Sequence, residues 1–515
     1  MATASEPNIN TGDTEKLRQN LRGVQVFFIL VSTIIGTGVF SGNAIALTVA
    51  GPVGLLVNVL GLGLVAICVG ETVSEFVQLW AVPNAVYYYI KYFIDDEAAW
   101  VVTILYWYSN ATVFAVQMLG AAKLVQFWSL IAIWPPFIFF LMVPFILLAV
   151  NLAGIKVYGW VETVFGMLKT VLVFGVTCTL YDISTKAISA GFQYNKDLVS
   201  SKSHAFFYGI PYVAYSYIGI ESSIVAAFEA RSATAVALPS RLIHWFIVGF
   251  YFLCTLGLAL TVPWNDPHLT GSLDKLTQPR SNSATIIAIA RDPRLGGGPL
   301  AGFVNGCLIM SIVSSAAASL YLASRTLYGL AYTLRKQTDF AKGLSSIWGE
   351  RAMVPARALL VTFLAFFWLP WISQIPGNRI TVNDVLNVMS LTASASCVIT
   401  WAFICLAFIR FERFTESPDA RSSPDGMPGA VRKHEGCYAR SHKRYAKQVS
   451  GLGVAIQPWF AWAGFLGCII VFISASAPWW SRPATPRDVI AAYGPVSFFH
   501  SLLSSPRLLV ISTNN

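Results

Sequence analysis

Eleven stretches of roughly 20 mostly apolar residues each recur along this chain, and that repetition restricts its fold more than any other feature. They are Val24–Ala46, Val53–Leu79, Ala98–Trp128, Ile133–Gly154, Val157–Tyr181, Ala205–Ala227, Ile243–Val262, Leu300–Tyr332, Ala356–Trp371, Val385–Ile409 and Ile456–Ser474. In hydrocarbon a backbone must satisfy its own N–H and C=O groups, so stretches of this length are α-helices. Charged residues make up only 12% of the chain, against about 25% in soluble domains. The expectation is an all-α polytopic membrane protein, with the longest spans tilted or running into the interface. A twelfth span over Val489–Ile511 is weaker, because Pro495, His500, Pro506 and Arg507 interrupt it. Met1–Asn20 is polar and has no apolar core of a signal peptide, so the first span is expected to direct insertion itself.

The first span contains its own contradiction. Within Val24–Thr48 the apolar run meets Ile35-Gly36-Thr37-Gly38 at mid-depth, then continues to Ala50-Gly51-Pro52. Two readings fit. The glycines are a small-xxx-small packing face, or they unwind the helix and free backbone amides and carbonyls, which are tolerated only where they are buried in protein or line a watery cavity. Discontinuous helices of the second kind form substrate sites in secondary transporters. If the first ten spans are an inverted repeat of five, the sixth must break at a matching depth. It does carry Tyr215-Ser216-Tyr217-Ile218-Gly219-Ile220-Glu221, a glycine followed by a carboxylate.

The Lys/Arg bias sets orientation. With the N-terminus inside, the internal connections and tail hold roughly 21 basic residues and the external ones roughly 8. The long internal loop Phe411–Ser450 is the most basic (Arg432, Lys433, Arg440, Lys443, Arg444, Lys447), as a topology determinant or a lipid-headgroup contact would be; a regulatory partner is the alternative. This accounts for the net charge of +10 without a nucleic-acid partner. Eight cysteines show no C-x-x-C pairing; most lie in apolar spans and read as small core residues. No Walker A, G-x-S-x-G, H-E-x-x-H or metal-ligand spacing occurs, so neither a cofactor nor an enzyme activity is expected.

Ionisable groups inside spans are costly and default to functional candidates. Glu221 follows the break in helix six, as a substrate contact or as a cap on freed amides. Lys169 lies in the middle of helix five; a lysine denied water can exchange its proton near neutrality, so it is a candidate proton carrier or fixed cation. Glu162, seven residues earlier, is about 10 Å away along the axis, too far for direct pairing. Lys123 and Arg325 lie near span ends and are expected to reach an interface. Helix eight carries Ser311, Ser314, Ser315, Ser319 and Ser324, for packing or, at Ser314 and Ser315, for a cation site facing helix one.

Taken together, certain motifs are specific. They are Ile35-Gly36-Thr37-Gly38-Val39-Phe40 with Ala50-Gly51-Pro52, Gly70-Glu71, Tyr106-Trp107-Tyr108, and Lys156-Val157-Tyr158-Gly159 with Glu162 and Lys169. Tyr217–Glu221, Ala227-Phe228-Glu229-Ala230-Arg231 and Ala323-Ser324-Arg325-Thr326-Leu327-Tyr328 complete the set. On these the chain resembles the fungal amino-acid permeases of the amino acid–polyamine–organocation superfamily, over roughly Gly23 to Ser474. The resemblance implies a LeuT-like fold, with a 5+5 inverted repeat and broken helices one and six. The divisions are then a cytoplasmic tail, 1–23; a transporter domain, 24–474 (repeats at about 24–181 and 205–409, helix eleven at about 456–474); and an atypical C-terminal segment, 475–515. It implies that Gly36, Thr37 and Gly38 bind a substrate carboxylate with Ile35 beside them in the substrate site, that Tyr217, Gly219, Ile220 and Glu221 contact its amino group and side chain, and that Lys169 couples transport to protons. It also implies residence in the plasma membrane. Two departures stand out. Many relatives place a glutamate in helix three where this chain has Gln117, and Tyr493–Asn515 lacks the usual clear twelfth helix and polar tail.

The resulting expectation is an importer of amino acids or related amines, working by proton-coupled alternating access, with protons and the lipid bilayer as its other partners. The alternatives are an amino-acid receptor on the same fold that transports little, and a choline or GABA permease. A polyamine would need more acids than Glu221 supplies.

Overall fold

The apolar stretches fold into helices in the computed structural model, which describes residues 19–128, 136–184, 193–196, 199–266, 269, 283–291, 298–334, 338–349, 353–375, 382–416, 449, 451, 453–481 and 483–503. Among the described residues eight helices are long and apolar enough to cross a membrane. The other three expected spans are Phe137–Leu152 and the two broken ones. Among the described residues there is no strand, only isolated bridges between Leu21 and Ala230 and between Trp348 and Val354. Most of the N-terminal tail and of the basic loop after Glu416 lies outside the described residues.

Helix one is α1 (Gly23–Ile34), a π-turn (Gly38–Gly42) and the start of α2 (Asn43–Leu79). The Ala50-Gly51-Pro52 stop is a sharp corner inside α2: Gly51 has φ +69, and a Cβ there would meet the Gln193 carbonyl oxygen at 2.3 Å. Helix two runs from that corner to Leu79. The next connection, expected only as an internal loop around Lys91, holds a helix, α3 (Ala85–Phe93), tied to the next element by the Lys91–Asp96 ion pair at 3.2 Å. Helix three is α4 (Asp96–Val125), capped by Asp95, whose carboxylate accepts from the Ala98 amide. Helices four and five are α5 (Val143–Leu152) and α6 (Ile155–Asp182). Helix six is α7 (Lys202–Ser216) followed, after a break, by the short α8 (Ser223–Ala226) between two 3-10 turns. Then come α9 (Ala233–Thr261), α10 (Ala284–Arg291) and α11 (Gly298–Thr333, helix eight). The last are α12 (Asp339–Leu344), α13 (Ala356–Phe367), α14 (Val382–Glu416, helix ten), α15 (Trp459–Ser474) and α16 (Pro486–Leu503).

α16 begins earlier than the apolar pattern alone places it. Thr485 and Asp488 form a reciprocal cap, with the Asp488 carboxylate accepting from the Thr485 amide at 2.9 Å and the Thr485 hydroxyl accepting from the Asp488 amide at 3.3 Å. The helix docks through Tyr493 onto Phe472 and Trp479, with Pro495 inside it.

Burial separates inner from outer helices. The apolar window of α4 is 83% buried, whereas that of the span beginning with α13 is 33% buried. α6 shows the reason in its own sequence. Val157, Trp160, Val164, Leu168, Val171 and Phe174 recur at helical spacing and are exposed. Tyr158, Glu162, Lys169 and Val173, on the opposite face, are fully buried. The first face suits lipid; the second faces α1.

One end of the bundle is locked by charge. Arg325, expected to reach an interface, is instead buried, stacked on the Tyr321 ring at 4.4 Å and paired with Glu229 at 3.4 Å. Tyr321 donates its hydroxyl proton to the other Glu229 oxygen and stacks on Tyr158. The Glu229 carbonyl accepts from the Asn20 and Leu21 amides, so the chain entering α1 is held to the end of helix six. Removing one member of a buried pair leaves an uncompensated charge. Arg325→Ala is expected to lower the stability of the detergent-solubilised protein by about 3–5 kcal/mol, read by thermal denaturation, while Phe174→Ala on the lipid-facing stripe changes it little.

Candidate functional site

The helix-one and helix-six breaks face each other across the centre of the bundle. α1 ends at Ile34, and Ile35 is extended (φ −79, ψ 96). α7 ends at Ser216, and Gly219 takes a left-handed conformation at φ +103, which favours glycine; a Cβ there would also press on the Thr33 methyl at 2.8 Å.

Breaking α1 exposes its last carbonyls, and side chains from three other helices satisfy them. Lys169, fully buried, donates its Nζ protons to the Ser32 and Ile35 carbonyls at 3.0 and 3.3 Å. Tyr251 donates to the Ile34 carbonyl at 3.0 Å, Ser315 to Thr33 at 3.4 Å and Ser311 to Ile35 at 3.5 Å. An ammonium at the negative end of a half-helix is the arrangement the macrodipole favours. Glu162 does not pair with Lys169 directly: its Oε2 accepts from Ser314 at 2.8 Å, and its buried Oε1 has no hydrogen-bond partner.

The opposite sign appears at helix six. Glu221 Oε2 accepts from the Gly219 amide at 3.1 Å and from the Trp401 indole at 2.8 Å, so it caps one amide that the break freed, while Oε1 is buried without a hydrogen-bond partner among the described residues. Tyr217, also expected at the substrate, instead donates its hydroxyl to the Val59 carbonyl at 2.9 Å, away from the break. Ile220 is buried in the 3-10 turn beside Glu221.

The helix-one glycines divide between the two roles open to them. Gly36 sits in the break, where a Cβ would meet the Gln117 amide at 2.3 Å and the Ser315 hydroxyl at 2.6 Å. Gly38 and Gly42, four apart, are the packing face: Cβ atoms there would lie 2.5 Å from Ser216 Cα and 2.6 Å from the Tyr212 carbonyl oxygen. Gln117 is bound at both ends, accepting from the Thr37 amide at 3.0 Å and donating to Ser315 at 3.1 Å. Among the described residues the Gly36 amide has no hydrogen-bond partner.

Between the breaks lies a small cavity. Thr33, Ile34, Gly36 and Gly38 of helix one bound one side, and Tyr215 and Ile218 of helix six another. α4 adds Asn110, Val113 and Gln117, and α11 adds Ser319. Of the expected substrate contacts, the structure therefore brings Gly36 and Gly38 to the cavity. Thr37 is beside it, with its hydroxyl 3.3 Å from that of Tyr215. Glu221 and Gly219 shape the break instead, and Tyr217 turns to Val59. Tyr215 and Ile218 belong to the helix-six motif and Ser319 to the helix-eight serines, but the sequence does not mark them as substrate contacts, and it does not single out Asn110 as a site residue.

The sequence profile described as "Amino acid permease" matches residues 25–421. The chain belongs to the amino acid permease family. Among its relatives, a dicarboxylic amino acid permease of Saccharomyces cerevisiae is 25% identical over 78% of this chain and 66% of the relative. An amino-acid permease of Candida albicans is 26% identical over 79% and 63%, and a lysine/arginine permease of the same organism is 27% identical over 77% and 68%. The match thus spans less than two thirds of the length of the first two relatives. These relatives are permeases, not enzymes. In three dimensions this family member is similar to a manganese transporter of Eremococcus coleocola, crystallised with an aromatic bis-isothiourea compound. The TM-score is 0.56 at 11% identity, over 96% of this chain and 97% of the other. The fold is LeuT-like.

The carbonyl cluster is directly testable. Tyr251→Phe removes the donor to the Ile34 carbonyl and leaves a buried acceptor unpaired. It is expected to cost about 1–3 kcal/mol of stability in thermal or denaturant unfolding.

Proposed function

We propose that this chain imports amino acids across the plasma membrane by alternating access, coupled to protons through Lys169, with its N-terminus inside. The observation that carries this reading is the pairing of the two breaks around one cavity, with opposite polarity on its two sides. A substrate carboxylate docks at the unpartnered Gly36 amide, where helix one resumes and its partial charge is positive. The substrate ammonium turns to the carbonyl end of α7 at Ser216, where the partial charge is negative; the Ser216 hydroxyl is buried there without a partner. A zwitterion therefore fits across the two breaks.

Lys169 supports coupling because it binds the same half-helix from behind. Its proton sets the charge at the carbonyl end of α1, whose far side lines the cavity through Thr33 and Ile34.

The test is uptake into proteoliposomes containing the purified chain, with and without an inward proton gradient. Gradient-dependent accumulation of amino acids is the expected result. Saturable binding without accumulation would favour a receptor, and accumulation of choline or GABA alone would favour an amine permease. Lys169→Ala is expected to reduce gradient-driven accumulation at least tenfold, because the ammonium that responds to the proton is gone. Unchanged accumulation in that variant would remove Lys169 from the coupling.

A further inference from the structure

Each acid and base near the breaks has at least one prior engagement, Glu162 Oε1 and Glu221 Oε1 being buried without a hydrogen-bond partner among the described residues, and none of these groups lines the cavity. Lys169 is turned to the α1 carbonyls, Glu162 to Ser314, and Glu221 to the Gly219 amide and Trp401. Glu229 and Arg325 neutralise each other. The cavity wall opposite the helix-one break is built from Asn110, Val113 and Gln117 of α4 and Ser319 of α11, none of which carries a charge. Gln117 cannot turn to a ligand without releasing both the Thr37 amide and Ser315. Asn110 donates its amide to the Tyr106 carbonyl at 3.0 Å, and Ser319 donates to the Ser315 carbonyl at 3.0 Å. The wall therefore offers modest polarity, one apolar patch and no counterion.

We propose that the substrate of this site is an α-amino acid with an uncharged side chain, and that lysine, arginine, aspartate and glutamate are excluded by the want of a counterion in the wall formed by α4 and α11. The proposal rests on reading the breaks as the substrate site. The carboxylate and ammonium of a zwitterion are met by the two half-helix ends, so a third charge on the side chain has nothing left to pair with. An unpaired buried charge is penalised heavily, and the discrimination expected here is on the order of a hundredfold or more. This sets the chain apart from two of its named relatives, one described as a dicarboxylic and one as a lysine/arginine permease.

The experiment is competition in proteoliposomes. Accumulated radiolabelled alanine, serine, leucine or glutamine is challenged with unlabelled neutral, cationic and acidic amino acids. Neutral competitors are expected to act at least a hundredfold more strongly than charged ones. If lysine or aspartate competes as well as leucine, or is itself the preferred cargo, the neutral-wall proposal is overturned while the transport reading stands. If no amino acid accumulates or binds, the transport reading fails and the proposal with it. A second arm places a carboxylate in the wall without a change of size. Asn110→Asp is expected to improve competition by lysine relative to leucine at least tenfold, with thermal denaturation of the detergent-solubilised protein as the check on folding. A folded variant with an unchanged lysine-to-leucine ratio would show that wall charge does not set selectivity.

Discussion

The carbonyl groups left open where α1 stops at Ile34 are the constraint on which the rest of the structure depends. Four of them, at Ser32, Thr33, Ile34 and Ile35, lie in the middle of a membrane bundle, where an unmet acceptor is costly. Meeting them recruits Lys169 from α6, Tyr251 from α9, and Ser311 and Ser315 from α11. Those recruits fix the rotation of each helix about its axis. Once Lys169 faces α1, Val157, Trp160, Val164, Leu168, Val171 and Phe174 have to face outward, and the lipid-facing stripe of α6 follows. One interruption in one helix thus sets the facing of its neighbours.

Helix six meets the same difficulty at its opposite polarity. Its break frees amides, and Glu221 supplies the anion that caps one of them, with the Trp401 indole of α14 holding the second contact to the same oxygen. Lys169 is spent on carbonyls and Glu221 on an amide, and neither lines the cavity. What remains turned towards the cavity is backbone polarity and neutral side chains. In the proposed transport reading, charged residues prepare the backbone and the backbone meets the substrate.

Much of this was legible in the sequence, and what was not has physical reasons. Apolar length placed the spans, because hydrocarbon thickness is a strict ruler. Gly36 and Gly219 marked the breaks, since few other residues tolerate either the close approach or the positive φ found there. The small-xxx-small reading and the unwinding reading of helix one both held, at different glycines. Side-chain direction was not legible: Tyr217 and Tyr215 differ by two positions, and only the geometry of the break turns Tyr215 to the cavity and Tyr217 to Val59. Arg325 looked like a residue near a span end until Glu229, nearly a hundred positions away in sequence, supplied its partner. α16 was obscured by Pro495, while its start was written in the cap formed by Thr485 and Asp488.

The contact between Lys169 and α1 also limits how a proton can act there. A neutral amine keeps two N–H donors, enough for the Ser32 and Ile35 carbonyls, so losing the proton need not orphan either acceptor. What is lost is the attraction between a full positive charge and the negative end of the half-helix, an effect of about 0.3–2 kcal/mol. That size is suited to a switch: it shifts a balance between two conformations without unfolding either. Glu162 lies on the same buried face of α6 with one oxygen unpartnered, so the field at Lys169 changes with whatever meets that oxygen. Coupling on this account is electrostatic tuning of a helix end whose hydrogen bonds stay made. An arginine at position 169 would hold the charge and lose the switch, whereas methionine would lose the charge and strand the carbonyls as well.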